Sequence, residues 1–251
     1  MTDHHIKTIY LTAFAAQAMG AKTTMIGFNW IDGLNPDVRS AVLSKARIKS
    51  FAEGSTIYQQ GDPVVEVFQI LHGEIRQCIF TEDGQEVLIY IYQPGDLVGD
   101  SSVSDGDPSS VSFIARGSVE VRAWGAKEFS ELQTTYPDVA TAVTSQLSRR
   151  LRGALRILEE RLTQPVPARI ASRFFWLVDA LGGPEHGAVD IALSQADIGL
   201  MVGSTRQSVN RVITELRKLN LIETNYGKVK VIDAAGLRRY ISEHQRQGRS
   251  D

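Results

Sequence analysis

The chain has 251 residues, of which 43% are hydrophobic and 22% are charged. This composition has room for about two domains and excludes a disordered or collagen-like chain. The single cysteine, Cys78, excludes a disulfide-stapled secreted scaffold and an iron–sulfur cluster held by several thiolates of one chain. The formal net charge of −2 at first argues against a nucleic-acid partner.

The charge is distributed unevenly along the chain. Residues 1–137 contain 10 basic and 17 acidic residues, residues 138–163 contain 5 and 3, and residues 164–251 contain 12 and 9. The C-terminal third is therefore mildly basic. This is compatible with phosphate contacts, although so small an excess does not prove them.

We interpret residues 1–28 as an N-terminal extension. The apolar run Ile9–Ala21 follows Asp3, and Lys7 is the only Lys or Arg before it, which is a poor match to a secretory signal. No stretch approaches the ~18–20 apolar residues of a membrane span. We expect a cytoplasmic protein with no membrane partner.

Between Ser50 and Trp124, alternating apolar runs are separated by glycine-containing turns. The runs are Val64–Leu71, Glu74–Phe80, Glu86–Tyr92, Ser112–Ile114 and Val119–Trp124. This alternation predicts short strands of a sandwich or barrel, with a hairpin turn at Asp83-Gly84. A helix is predicted before the strands, over Pro36–Lys49. The resulting N-terminal domain covers residues 29–137.

After a short predicted helix, Lys127–Tyr136, residues 138–163 predict a long uninterrupted one. Its apolar seam consists of Val143, Leu147, Leu151, Leu155, Leu158 and Leu162. Arginines surround the seam, which favours pairing with a second copy over packing within one chain. We interpret this segment as a dimerisation helix.

Gln164-Pro165-Val166-Pro167 ends the long helix, because proline lacks an amide hydrogen and clashes with the preceding turn. The C-terminal domain, residues 164–251, begins at this expected hinge. A further helix is predicted over Ala168–Leu181, with Gly182-Gly183-Pro184 as its terminator.

Two capped helices follow. Ser194 with Asp197 resembles a capping box that opens a helix to about Val202, and Gly203 provides the turn. Two short helices joined by such a turn form a helix-turn-helix.

The second helix is predicted to begin with a capping box of Ser204 and Gln207 and to reach about Asn220. Its predicted buried residues are Val209, Val212, Ile213, Leu216 and Leu219. Its opposite side carries Arg206, Gln207, Asn210 and Arg211. These side chains can pair with base edges, and they lie in the turns that enter the major groove. The pattern predicts DNA binding.

Phosphate contacts are expected around the recognition helix. Ser204, Thr205 and Ser208 lie at its N-terminus. Leu221–Ile232 alternates in polarity around Asn225-Tyr226-Gly227, which predicts a hairpin wing. Lys228 and Lys230 of this wing are available to the DNA backbone.

This order of parts resembles the Crp/Fnr transcription regulators from about Trp30 to Tyr240. The matching stretches are Gly54…Gly61-Asp62, Leu71-His-Gly73, Pro94–Asp100, Ala168-Arg-Ile170 and, most specifically, Ile198–Arg211. The resemblance implies an α+β fold: a β-roll of the cyclic-nucleotide-binding jelly-roll type, a long dimerisation helix and a winged helix-turn-helix. It also implies a homodimer on a palindromic operator in double-stranded DNA, RNA polymerase as a partner, and no enzymatic activity.

The resemblance places an arginine, an acid and a later arginine against the bases, at Arg206, Gln207 and Arg211. Gln207 departs from the acid of the family pattern. An acidic side chain accepts a hydrogen bond from cytosine, whereas a glutamine side chain can form two hydrogen bonds with adenine. We therefore expect a half-site that differs from the usual family consensus opposite Gln207.

Family members that bind cyclic AMP have a Gly-Glu pair and a later Arg-Ser/Thr-Ala triplet. The corresponding candidate pocket residues are Gly99, Asp100, Ser101, Ser109, Ser110 and Val111. The carboxylate is one methylene shorter, and the phosphate-neutralising arginine is missing. A partly buried phosphate without a counter-charge costs several kcal/mol, so cyclic AMP is not expected as the effector.

Other sensing chemistries find little support in the sequence. Cys78 is expected to be a packed side chain, and His72 has no evident second ligand, so haem is not expected. No Cys/His/carboxylate cluster has the spacing of a metal site.

Three alternatives stay open. In the first, the β-roll is vestigial and DNA binding is independent of an effector. In the second, the chain is an enzyme or a small-molecule binding protein that does not bind DNA, and its basic C-terminal domain only docks a protein partner. In the third, a dinucleotide binds outside the usual pocket, at Arg149–Arg156.

Overall fold

The computed structural model describes residues 29–180, 189–191, 193–225 and 228–247. The N-terminal extension and the predicted terminator Gly182-Gly183-Pro184 lie outside the described residues. The α+β prediction is confirmed: an antiparallel sheet domain, a long helix and a helix-turn-helix follow one another. None of the helices in the described ranges combines the length and the apolar character of a membrane span.

The N-terminal domain is built on an antiparallel sheet. Its elements are α1 (Pro36–Ser44), β1 (Arg47–Phe51), β2 (Thr56–Tyr58), β3 (Glu66–Phe80), β4 (Glu86–Tyr92), β5 (Leu97–Val98), α2 (Asp100–Asp105), β6 (Ser112–Gly125) and α3 (Ala126–Thr135). The strand order is β1-β6-β3-β4, with β2 also paired to β6 and β5 to β3. The predicted hairpin joins β3 to β4, and its Gly84 has a φ of 78°.

The predicted helix over Pro36–Lys49 is wrong in its second half. The helix ends at Ser44, and the residues from Arg47 onward form β1 against β6. The exposed side chains of Ile48 and Lys49 show why: this stretch lies along a sheet edge and has no apolar helix face to bury.

Four of the predicted short strands merge into two long ones. Gly73 lies within β3, where its φ is 80° and the pairing with β6 shifts in register. A Cβ at this position would lie 2.4 Å from the carbonyl oxygen of Ser118. The glycine therefore permits an irregularity inside one strand, where the sequence predicts a break between two.

The second half of the chain begins with a helix of 27 residues. Its elements are α4 (Pro137–Thr163), α5 (Val166–Ala180), β7 (Val189–Ile191), α6 (Gln195–Val202), α7 (Arg206–Lys218), β8 (Ile222–Asn225), β9 (Lys228–Val231) and α8 (Ala234–Gln247). Strand β9 lies between β7 and β8. Only Gln164 and Pro165 separate α4 from α5, so the predicted helix end is confirmed.

Helix α4 has two apolar faces. One is buried in its own chain and includes Val139, Val143 and Gly153. The other is exposed, with relative accessibilities of 61% for Leu151, 57% for Leu155, 52% for Leu158 and 76% for Leu162. Val143 packs in the core that contains Phe129, and Leu147 packs partly against it. The assignment of Val143 to a dimer seam is therefore wrong, because its position along the helix turns it toward its own domain.

The C-terminal domain packs against the sheet of the same chain. Three buried side chains of that sheet lie in the core of the C-terminal domain: Cys78, Leu88 and Ile91. Arg116 spans the junction, donating to Glu74 Oε2 at 2.9 Å and to Asp197 Oδ2 at 3.1 Å. Helix α6 is thereby held against the N-terminal domain by apolar packing and by one arginine.

Replacing Arg116 with alanine should loosen α6 from the sheet, because it removes the polar contact across the junction. We expect amide hydrogen exchange over residues 195–202 to accelerate about fivefold, the equivalent of roughly 1 kcal/mol for a partly buried ion pair. Arg122→Ala, which loses a 3.0 Å contact to Gln69 inside the N-terminal domain, is the control. Equal protection in both variants would contradict this role for Arg116.

Candidate DNA interface and effector pocket

The first helix of the helix-turn-helix has the predicted cap. Ser194 Oγ accepts from the amide of Asp197 at 3.1 Å, and Asp197 Oδ2 accepts from the amide of Ser194 at 3.2 Å. Helix α6 ends at Gly203, whose φ of 62° places it in the left-handed region. A Cβ on Gly203 would lie 2.7 Å from a guanidinium nitrogen of Arg161, so the turn closely approaches α4.

The cap of α7 lies one residue later than predicted. Thr205 Oγ1 accepts from the amide of Ser208 at 3.2 Å, and Thr205 has the extended backbone of an N-cap. The predicted box of Ser204 and Gln207 is therefore wrong, because two adjacent hydroxyl residues compete for one cap. Gln207 instead lies in the first turn of α7, with its side chain exposed.

Helix α7 separates an apolar face from a polar face. The buried residues are Val209, Val212, Ile213 and Leu216. The exposed residues are the predicted Arg206, Gln207, Asn210 and Arg211. Leu219, also predicted to be buried, is 52% exposed because the helix ends before it. The four polar side chains are therefore presented to a partner by a helix whose other side is anchored in the core.

The wing and the two helices enclose an open groove. Strands β8 and β9 pair as predicted, while Tyr226 and Gly227 at the tip lie outside the described residues. Arg206 and Lys228 line the groove, together with Ser194 and Asn225. No carboxylate is among its described lining residues. A groove with cations from both α7 and the wing suits a phosphate backbone. Lys230, which is half-buried, lies further along the wing.

The candidate pocket residues lie in the turn between β5 and α2 and in the segment before β6. Gly99 has a φ of 87°, and a Cβ there would lie 2.8 Å from the carbonyl oxygen of Glu66. Ser109 is buried, and its Oγ donates to the carbonyl oxygen of Val111 at 2.7 Å. Ser101 and Ser110 are exposed. Ser109 and Ser110 are the two serines expected near the place of the missing arginine, and the hydroxyl of Ser109 is already used within the chain.

Asp100 is fully buried and forms an ion pair with Arg150 of α4. Arg150 also donates to the hydroxyl of Tyr92 at 3.3 Å. Burial lowers the pKa of Arg150, but the contacts with Tyr92 and Asp100 raise it by more than burial lowers it. The pKa of Arg150 is therefore above its ordinary value. Asp100 Oδ1 is buried and has no hydrogen-bond partner among the described residues.

The sequence does not reveal this ion pair, because the two partners are 50 residues apart and belong to different elements. Adjacent arginines on an amphipathic helix give no sign of which one faces the sheet. Residues Arg149–Arg156, which the sequence offers as a dinucleotide site, also differ in their surroundings. Arg150 contacts Asp100, while Arg156 lies over the ring of Trp176.

A second buried carboxyl group, Asp96, lies in the same region. Desolvation raises its pKa to about 7, although the amide of Gln93, which donates to Oδ2 at 2.9 Å, and the charge of Arg150 act in the opposite direction. Asp100 raises the pKa of Asp96 further, because two carboxylates near one arginine repel each other.

The sensing residues considered from the sequence have ordinary environments. Cys78 is buried, and its thiol donates to Glu86 Oε1 at 2.9 Å. Burial raises the pKa of Cys78 to about 12, helped by Glu86. His72 is exposed on β3. In the part of the chain that the structure describes, no three His, Cys, Asp or Glu side chains form a potential metal site.

Two family models match the chain. The cyclic nucleotide-binding domain matches residues 48–136, and the Crp-like helix-turn-helix domain matches residues 168–240. The CRP-like cAMP-activated global transcriptional regulator of Mycobacterium tuberculosis is 25% identical over 209 residues, covering 82% of this chain and 93% of that protein. The cAMP-activated global transcriptional regulator CRP of Salmonella typhimurium is 28% identical over 194 residues, covering 76% and 91%.

The fold has close counterparts among solved structures. FixK2 from Bradyrhizobium japonicum has a TM-score of 0.68 at 21% identity, covering 78% of this chain and 96% of that chain. The two matched domains occur here in the same chain as the long helix α4 that joins them. The chain therefore belongs to the Crp/Fnr family of transcription regulators.

Proposed function

We propose that the protein is a sequence-specific DNA-binding regulator of transcription that recognises a palindromic operator as a homodimer. The observation that carries this proposal is the exposed polar face of α7, anchored from behind by buried apolar side chains. The proposal requires no catalytic residue. It places the protein in the cytoplasm, where its partners are double-stranded DNA and RNA polymerase.

The polar residues of α7 have distinct roles in this proposal. Arg206 and Arg211 offer paired donors to guanine, whereas Gln207 and Asn210 offer a donor and an acceptor to adenine. Residues at the helix N-terminus and on the wing contact phosphates: Ser204, Thr205, Ser208, Lys228 and Lys230. The phosphate contacts fix the register, and the four side chains of α7 read the sequence. An exposed Gln207 supports the expected departure from the family consensus.

The exposed face of α4 supports the homodimer. Its leucines form one stripe at spacings of three or four residues: Leu151, Leu155, Leu158 and Leu162. A contiguous apolar stripe on a solvated helix is typical of an interface. Pairing two copies along it would direct two α7 helices to successive major grooves, about one helical turn apart.

We further propose that cyclic AMP is not the effector, although both relatives above are named as cAMP-activated. Arg150 is already paired with Asp100, and the hydroxyl of Ser109 already donates to Val111. A cyclic nucleotide phosphate placed here would add a charge beside the buried Asp100. Its desolvation, without a new cation, costs several kcal/mol. The residues at this position therefore do not fit a cyclic nucleotide.

An effector-independent regulator is the second candidate, and the same ion pair favours it. Asp100 and Arg150 connect the N-terminal domain to α4 by a direct ion pair. A ligand that bridged these elements would have to compete with a contact that the chain already makes.

Arg206→Lys separates base recognition from charge. Lysine retains the positive charge but lacks the planar pair of donors, so the preferred duplex should lose ~1–3 kcal/mol of binding free energy while random DNA loses little. Fluorescence anisotropy at fixed salt measures both duplexes. Arg217→Lys, at the exposed far end of α7, is the matched control. Equal losses on both duplexes would indicate a phosphate contact, and no discrimination by the wild type would favour the small-molecule alternative.

Leu155→Glu should convert the dimer to a monomer, because each copy would place a carboxylate in the apolar stripe. Sedimentation velocity of the full-length protein measures this change. Ser145→Glu adds the same charge at an exposed position of α4 away from the stripe and should leave the dimer intact. A dimeric Leu155→Glu variant, or a monomeric wild type, would contradict the proposed interface.

Isothermal titration of the full-length protein with cyclic AMP should give no saturable heat up to about 1 mM ligand. The affinity for the preferred duplex should also be unchanged by cyclic AMP. A dissociation constant in the micromolar range would contradict the proposal about the effector, without affecting the proposal of DNA binding.

A further inference from the structure

A group of charged side chains lies where α4 meets α5. Glu160 is 3% exposed and Arg173 is 5% exposed, and Arg173 Nη2 lies 3.5 Å from Glu160 Oε2. Both Arg156 and Arg173 lie over the ring of Trp176, at 4.1 Å and 4.7 Å from its centroid. We call this group, with Arg161 and Arg169, the hinge cluster.

Arg161 and Arg169 form the more open side of the hinge cluster. Arg161 is exposed, and its Nη2 donates to the carbonyl oxygen of Met201 at 3.3 Å. Arg169 is half-buried near the start of α5. Burial lowers the pKa of Arg173, and Glu160 only partly offsets this, because Arg161, Arg156 and Arg169 repel its charge. The four guanidinium groups therefore lie close enough to act on one another.

Among the described residues, Glu160 is the one buried carboxylate whose charge acts on Arg169 and Arg173. The neighbouring Glu159 is exposed to solvent. The Nε atoms of Arg169 and Arg173 are buried and have no hydrogen-bond partner among the described residues. The same is true of Glu160 Oε2, which lies 3.5 Å from Arg173 Nη2. Buried charged donors without acceptors are costly, and the N-terminal end of α5 adds its own positive potential near Arg169. A bound anion would accept hydrogen bonds from these donors and would balance the positive potential.

We propose that the hinge cluster is a binding site for a phosphate group. A phosphate carries up to two charges and several acceptor oxygens, which match guanidinium donors that converge from two helices. The group would come from a small phosphate compound or from the DNA backbone, and the chemistry of recognition is the same for both. This site is distinct from the pocket at Asp100 and from the polar face of α7.

Occupancy of the hinge cluster would act on the joint between the two halves of the chain. Arg156 and Arg161 belong to α4, whereas Arg169 and Arg173 belong to α5. Arg161 also contacts the last turn of α6 through Met201. An anion held between these residues would therefore restrain the angle between α4 and the helix-turn-helix.

Titration of the full-length protein with pyrophosphate, at constant ionic strength and without DNA, tests the site. Calorimetry gives the affinity, and tryptophan fluorescence gives a local signal that Trp176→Phe should abolish. Arg169→Gln should weaken binding at least about tenfold, because it removes one of the charged donors. Arg152→Gln, an exposed residue of α4 outside the hinge cluster, should bind as the wild type does. Melting curves show that each variant is folded.

Absence of saturable binding, or equal affinities of Arg169→Gln and Arg152→Gln, would overturn the proposal. A competition arm then identifies the source of the phosphate. If a duplex displaces pyrophosphate whose binding depends on Arg169, the hinge cluster contacts the DNA backbone. If both bind together, it takes a small phosphate compound. Failure of the protein to bind any duplex would count against the proposed function and would leave the pyrophosphate result intact.

Discussion

The arrangement of the chain depends on the buried ion pair between Asp100 and Arg150, which joins the sheet domain to α4. Asp100 has no exposed surface, so loss of either partner would leave an uncompensated buried charge, at a cost of ~3–5 kcal/mol. Because α4 is one continuous helix, fixing Arg150 also fixes every later position on it. Arg161 lies about three turns after Arg150 on the same side of α4, and the exposed leucines lie on a different side of the helix.

Two arginines then hold the helix-turn-helix from opposite ends of α6. Arg116 of the sheet domain contacts Asp197 in the first turn, and Arg161 of α4 contacts the carbonyl oxygen of Met201 in the last. A carboxylate at the N-terminus and a cation at the C-terminus both suit the helix dipole. Gly203 permits the second contact, because a side chain there would collide with Arg161. The direction of α7 follows from these restraints.

Local signals made much of this architecture predictable. The capping box of Ser194 and Asp197, the left-handed Gly203 and the hairpin at Gly84 depend on residues a few positions apart, and all three are confirmed. The predicted cap of α7 is wrong because adjacent Ser204 and Thr205 offer the same hydroxyl, and Thr205 is the one that caps the helix. The predicted break between two strands at Gly73 is wrong, because this glycine permits an irregularity within the continuous strand β3.

Contacts between distant elements could not be predicted in this way. A helix with an apolar seam does not reveal which turns face its own domain, and the prediction that Val143 belongs to a dimer seam is wrong for that reason. Nor does the sequence indicate that Arg150 contacts Asp100, or that Arg173 of α5 pairs with Glu160 of α4. These contacts depend on how the elements pack together, and the hinge cluster depends wholly on them.

If the exposed face of α7 reads base edges in two copies of the chain, each copy should select the same half-site. Selection of duplexes from a random pool by the full-length protein, with no ligand added, measures this preference. We expect enrichment of an inverted repeat whose half-sites are about one helical turn apart, with a base preference opposite Gln207 other than the family consensus. A pool that shows no enrichment, or enrichment of a single site without a repeat, would contradict it.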